Sequence, residues 1–317
     1  METVAVLMST YNGEAFLKEQ LDSILSQINI NVELYIRDDG SQDNTPDVLK
    51  EYMRNHSNVH VYFGKNMGVF KSFEWLVRKS PLDYDYYAFS DQDDIWLKEK
   101  LSVAITKIQK NAEKNTPILY FCNQSCVNEK GEFLYKKLPD DFIQPNIITT
   151  ILDNQYSGCT MVFNKALLEL DKVTYNEIPH RIRTLYDSWL ITIAQITGKL
   201  IYDSEPYIKY RRHGNNETTD VISYDQGLSR TLSKIRYQIK NLKKYSFYKN
   251  DTKRRCIYIL TKFDEYLSDE DRLNLTFLSE YNDDFSHWIR TIFHNPLKKY
   301  FGKAAIATWV KLVIGMY

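Results

Sequence analysis

Along the first third of the chain, short unbroken apolar runs alternate with segments whose apolar residues recur every three or four positions. Runs of the first kind predict strands buried on both faces and the second kind predict amphipathic helices, so together they read as a sheet with crossover helices. Residues 4–8 predict the first strand, and Leu17, Leu21, Ile24, Leu25 and Ile28 then fall at helical spacing. Residues 32–36 predict the second strand. Thr45 is expected to cap a helix that has Pro46 at its first position. A strand at 59–63, a helix with Val69, Phe73, Leu76 and Val77 inward, and a strand at 86–89 come next. The next helix is expected to start near Trp96 and to bury Leu97, Leu101, Ala104, Ile105 and Ile108. Beyond Pro117 the alternation loosens, with strands predicted at 118–122, 158–163 and 207–210 and a helix at 188–197.

The pattern breaks around Asn215-Asn216-Glu217-Thr218, and the remainder of the chain reads as helices rich in Lys, Arg, Tyr and Leu. The expected organisation is an α/β domain over 1–215 and a helical C-terminal region over 216–317. A length of 317 residues, beyond the usual reach of one hydrophobic core, agrees with that division. Lys plus Arg and Asp plus Glu each number 41, so the zero net charge argues against bulk nucleic acid as a partner. Cys122, Cys126, Cys159 and Cys256 lack paired metal-finger spacing, which favours a reducing, cytoplasmic setting. The N-terminus lacks the layout of a signal peptide, and no apolar run reaches the roughly 18 residues of a membrane span.

In a parallel sheet, ligands bind beyond the carboxyl ends of the strands, so polar clusters directly after strands carry the most information. Three such clusters occur: Thr10-Tyr11-Asn12-Gly13, Asp38-Asp39-Gly40-Ser41 and Ser90-Asp91-Gln92-Asp93-Asp94. Carboxylates packed into four residues repel one another unless a cation or turn N–H groups hold them, and hard divalent ions favour oxygen ligands. The third cluster therefore suits a metal, although a capped turn before a helix uses the same residues. In the second cluster, a buried Asp39 would accept from a pyrimidine N3–H while Tyr11 stacks on the ring; a plain β-turn is the alternative. His213, flanked by Arg211 and Arg212, suits a metal ligand or a diphosphate contact as well as a hydrogen-bonded structural histidine. Lys71 and Arg212 are cations able to neutralise a diphosphate.

Together these segments resemble glycosyltransferase family 2, whose fold is GT-A: a mixed sheet flanked by helices. The resemblance covers about two-thirds of the chain. It is closest to the bacterial rhamnosyltransferase-like branch, through Met8-Ser9-Thr10-Tyr11-Asn12-Gly13, Ile36-Arg37-Asp38-Asp39-Gly40-Ser41, Asn66-Met67-Gly68-Val69, Phe89-Ser90-Asp91-Gln92-Asp93-Asp94-Ile95-Trp96 and Tyr210-Arg211-Arg212-His213-Gly214-Asn215-Asn216. The resemblance implies a nucleotide-sugar site from Thr10, Tyr11, Asn12, Asp39, Asn66, Gly68, Lys71, Asp91, Gln92 and Arg212. It also implies Mn²⁺ or Mg²⁺ on Asp93, Asp91 and His213, and a catalytic base at Asp187. Tyr186 stands before that base where the family often has Glu or His. The Gln-x-x-Arg-Trp motif of processive synthases is not found, so addition of one or a few sugars is expected.

The implied reaction is inverting transfer from a dTDP- or UDP-linked sugar to a glycan or polyprenyl-diphosphate-linked acceptor. An inactive binding module of the same fold would have little use for Asp91, Asp93 and Asp187. A nucleotidyltransferase would need a glycine-rich basic loop after the first strand, which is missing. Lysines and arginines at 230–255, and Lys298, Lys299, Lys303, Trp309 and Lys311 among apolar residues at 295–317, predict peripheral attachment to the inner face of the cell membrane.

Overall fold

The computed structural model describes residues 1–113, 115–139, 142, 146–152, 156–177, 186–214, 216 and 251–281. Its elements in chain order are β1 (Glu2–Thr10), α1 (Leu17–Leu25), β2 (Ile30–Asp38), α2 (Thr45–Asn55), β3 (Val59–Phe63), α3 (Val69–Lys79), β4 (Tyr86–Ser90) and β5 (Ile95–Trp96). They continue with α4 (Lys100–Asn111), β6 (Ile118–Val127), β7 (Phe133–Lys136), α5 (Ile147–Leu152), β8 (Met161–Asn164), α6 (Lys165–Glu177), α7 (Tyr186–Thr197), β9 (Lys199–Arg211), α8 (Asp251–Lys262) and α9 (Asp269–Glu280). The chain divides into two compact units. One comprises Met1–Gln144, Tyr156–Glu177 and Thr184–Asn215, and the other Pro145–Gln155, Ile178–Arg183 and Asn216–Tyr317.

The first unit is built on one mixed sheet of order β3-β2-β1-β4-β8-β6-β9-β5, with β7 paired to β6. β1 runs parallel to both β2 and β4, with Thr10 opposite Asp38 and Met8 opposite Ser90. Three strands therefore end almost abreast, and the loops after them leave the sheet at one edge. β1 can be continuously apolar because it is covered on both faces: Val4, Ala5, Val6, Leu7 and Met8 are fully buried. On one face the core gathers Leu17, Leu21 and Ile24 of α1, Leu49 of α2, and Leu101, Ala104, Ile105 and Ile108 of α4. Their helical spacing is the stripe that the sequence displays.

Some local expectations give way to distant contacts. Trp96 is not in a helix: Ile95 and Trp96 form a two-residue strand antiparallel to β9, and α4 starts at Lys100. Trp96 N–H donates to Ser23 Oγ, so a distant partner outweighs local propensity. Thr45 is the first residue of α2 and not its cap; its hydroxyl instead accepts from Gly13 N–H at 2.8 Å. Ile28 lies beyond the end of α1 and is exposed. Residues 158–160 form a 3-10 turn, so the strand expected from Gly158 begins only at Met161.

In the second unit, α8 and α9 pack together and α9 touches α5. Cys256, Ile259, Leu275 and Leu278 are fully buried there, and the Ser268 hydroxyl caps α9 by accepting from Asp271 N–H. Among the described residues no helix is long and apolar enough to cross a membrane. The basic stretch 230–250 and the tail 295–317 lie outside the described residues.

Candidate active site

The loops after β1 and β2 interlock. Asp39 N–H donates to the Thr10 carbonyl, and Asp38 accepts from the Thr10 hydroxyl, the Ser41 hydroxyl and Ser41 N–H. Asn12, at φ 50°, donates its N–H to Ser41 Oγ and accepts from Gln42 N–H. The Asp39 carboxylate is buried and paired with Arg37, and it accepts from Met67 N–H and from Gly68 N–H at 2.8 Å. Gly68 sits at φ +86°, a conformation that a side chain would strain, and this aims its N–H at Asp39. Asp39 thus draws the segment carrying Asn66 and Gly68 over the edge of β2. Tyr11, Asn66 and Lys71 stay exposed around it.

The loop after β4 is tied to the first by Gln92. Its side-chain oxygen accepts from Tyr11 N–H at 2.8 Å, and its amide donates to the Tyr11 carbonyl at 3.1 Å. Asp93 Oδ2 lies 2.8 Å from His213 Nε2, so two residues expected to share a metal meet. Asp94 is fully buried; one oxygen accepts from Arg211 N–H, and Oδ2 has no hydrogen-bond partner among the described residues. Asp91, Asp94 and Cys159 each bring one ligand atom within 4.8 Å of the others. Burial pushes the Asp91 carboxyl up to about 7, reinforced by the Asp93 and Asp187 charges and opposed by Cys159 and Lys137. Asp94 is raised well above the carboxylate range by burial and by the charges of Asp93 and Asp91.

This donor set fits a hard divalent ion. Carboxylates that resist ionising together, one buried oxygen without a partner and an imidazole beside Asp93 provide oxygen and nitrogen ligands suited to Mn²⁺ or Mg²⁺. A bound cation would hold the raised carboxyls of Asp91 and Asp94 ionised.

Asp187 stands in the first turn of α7 and is buried. Burial lifts its carboxyl to about 6, against the N–H groups of Ser188 and Gly158 and the charge of Lys137. A Cβ on Gly158 would come 2.5 Å from the Tyr186 hydroxyl, so only glycine brings that N–H so close. Tyr186 stacks on Phe73 with ring centres 4.1 Å apart, which fixes the start of α7 against α3. Lys137 donates to Ser157 Oγ and lies 5.3 Å from the centre of the Tyr210 ring.

Arg212 N–H donates to the Val127 carbonyl, and its guanidinium lies 5.9 Å from the Tyr210 ring. The neighbouring Arg211 joins the acidic loop, donating from Nε to the Asp93 carbonyl. Lys100 is a second residue that its sequence neighbours do not single out. It is fully buried beneath the loop, with Nζ 3.4 Å from the centre of the Trp96 ring, and burial pushes it down to about 8.

The family model described as Glycosyl transferase family 2 matches residues 5–170. The dTDP-rhamnosyl transferase RfbG of Shigella flexneri is 32% identical over 228 residues, covering 68% of this chain and 75% of its own. The UDP-Glc:alpha-D-GlcNAc-diphosphoundecaprenol beta-1,3-glucosyltransferase WfgD of Escherichia coli is 30% identical over 173 residues, 52% of this chain and 61% of its own. Among solved structures, S. aureus TarS 1-349 in complex with UDP superposes with a TM-score of 0.59 at 16% identity, covering 99% of this chain and 81% of that one. That likeness shows the fold, GT-A. With a family match across more than half of the sequence and a relative 32% identical over 68% of it, the chain belongs to glycosyl transferase family 2.

Proposed function

We propose that this chain is an inverting, metal-dependent glycosyltransferase of bacterial cell-wall or capsular polysaccharide synthesis. It moves a sugar, rhamnose from dTDP-rhamnose or a hexose from a UDP-sugar, onto a glycan or polyprenyl-diphosphate-linked acceptor at the inner face of the membrane. The observation that carries the reading is the meeting of Asp93 with His213 beside Asp91, at the same sheet edge as Tyr11 and Asp39. The likeness to RfbG, a dTDP-rhamnosyl transferase, and to WfgD, a UDP-Glc:alpha-D-GlcNAc-diphosphoundecaprenol glucosyltransferase, supports the donor and acceptor classes.

The roles rest on the geometry. Tyr11 offers an exposed ring for a nucleobase, and Asp39 orders the segment around it. Asp93, Asp91 and His213 would hold Mn²⁺ or Mg²⁺, which supplies electrostatic stabilisation of the departing diphosphate. Asp187 takes the proton of the attacking hydroxyl. With its carboxyl near 6 it is ionised at neutral pH, yet still basic enough to accept that proton. A single base with attack opposite the leaving group gives inversion.

The test is a thermal-shift screen against UDP-, dTDP- and GDP-sugars, each with Mn²⁺ and with EDTA. A donor at a hundred times its dissociation constant stabilises the native state by about 2.7 kcal/mol. The expected result is a Mn²⁺-dependent rise in Tm with one pyrimidine nucleotide-sugar; equal shifts in EDTA refute metal dependence, and no shift with any donor refutes the reading.

A further inference from the structure

Arg211, the last residue of β9, has a side chain only 2% exposed and gathers three other segments. Its main-chain N–H donates to Asp94 Oδ1 at 3.1 Å and its Nε donates to the Asp93 carbonyl at 2.9 Å. One terminal nitrogen donates to the Glu129 carbonyl in the turn between β6 and β7, and the other is paired with Glu19 of α1 at 2.5 Å. The guanidinium also lies 4.6 Å from the centre of the Phe16 ring, which in turn lies 5.0 Å from the His213 ring.

We infer that Arg211, anchored by Glu19, is the positioning residue that aims the Asp93 carboxylate at the cation. This rests on the metal-dependent reading above. The Arg211 side chain grips the acidic loop at the Asp93 carbonyl, its main-chain N–H holds Asp94, and the Asp93 carboxylate faces His213. A planar fork of donors can hold a loop carbonyl, a turn carbonyl and a carboxylate at once, whereas a lysine ammonium has no such fixed directions. Glu19 supplies the counter-charge that a buried guanidinium requires. Its own side chain is 56% exposed, so it can be altered with little effect on the core. Partners that orient metal ligands are worth roughly 10–100-fold in metal affinity.

The experiment measures the dissociation constant for Mn²⁺, by electron paramagnetic resonance of the free ion, in the wild-type full chain, Arg211→Lys and Glu19→Gln. Circular dichroism establishes folding. Arg211→Lys is expected to bind Mn²⁺ roughly 10–100-fold more weakly, and Glu19→Gln to weaken binding in the same direction while staying folded. If Arg211→Lys does not fold, Glu19→Gln decides. Wild-type affinity in the folded variants overturns the inference and leaves the functional reading standing; a wild-type chain that binds no Mn²⁺ overturns both.

Discussion

His213 Nε2 and Asp93 Oδ2 lie 2.8 Å apart although 120 residues separate them along the chain. The meeting depends on β5, whose two residues pair with β9 and bring the end of that strand beside the acidic loop. Replacing Asp93 with Ala is expected to abolish Mn²⁺-dependent donor binding, because the carboxylate proposed to hold the ion is gone. Isothermal calorimetry with donor and Mn²⁺ checks this, and unchanged affinity would refute the assignment.

The proposed base, Asp187, should set the acid limb of the rate. With its carboxyl at about 6, the base is protonated and idle below that pH, so kcat/KM should fall as pH drops through about 6. Asp187→Asn should bind donor normally and lose roughly 10²- to 10⁴-fold in transfer, the usual worth of a positioned base. A flat pH–rate profile for the wild type would contradict the role.

Gln92 holds the main chain of Tyr11 with its side-chain amide. Gln92→Ala removes two hydrogen bonds to Tyr11, each worth about 1 kcal/mol, and frees the Tyr11 ring. The expected outcome is a higher donor KM with Mn²⁺ affinity preserved. Equal losses in both would mean that Gln92 supports the metal loop instead.

Asp171 in α6 is buried beside Phe89, Phe163, Leu168 and Trp189, and burial lifts its carboxyl to about 7 against the charges of Lys172 and Arg78, with Glu74 adding to the rise. The native chain then keeps a proton that the unfolded chain gives up near pH 4, so stability falls as pH rises from about 4 to 7. A shift of about three units corresponds to at most about 4 kcal/mol. Asp171→Asn should flatten this part of the stability–pH curve and be the more stable form at pH 8. Urea melts at pH 5 and pH 8 compare the two, and parallel losses in wild type and variant would refute the role.

Patterns that the sequence displays locally persist in the structure. The apolar run of β1 and the 3.6-residue stripes of α1, α3 and α4 need no distant partner to be recognised, and the polar loops after β1, β2 and β4 lie at the sheet edge that parallel topology predicts. Features that depend on distant chain are hidden in it. β5 is a strand only because β9 pairs with it, and Arg211 matters only because Glu19, Asp93 and Glu129 converge on it. Gln92 is expected from the sequence to touch nucleotide, and nothing in its neighbours along the chain points to the Tyr11 backbone.

The four residues between β4 and β5 carry a further meaning. They are moored at one end by the parallel ladder to β1 and at the other by the antiparallel pair with β9, and Gln92 pins them in between. Such a segment has no slack: an added residue would have to break a ladder or release the pin. Changes in substrate preference would therefore enter by side-chain exchange within this stretch, and length variation would be confined to segments moored less tightly.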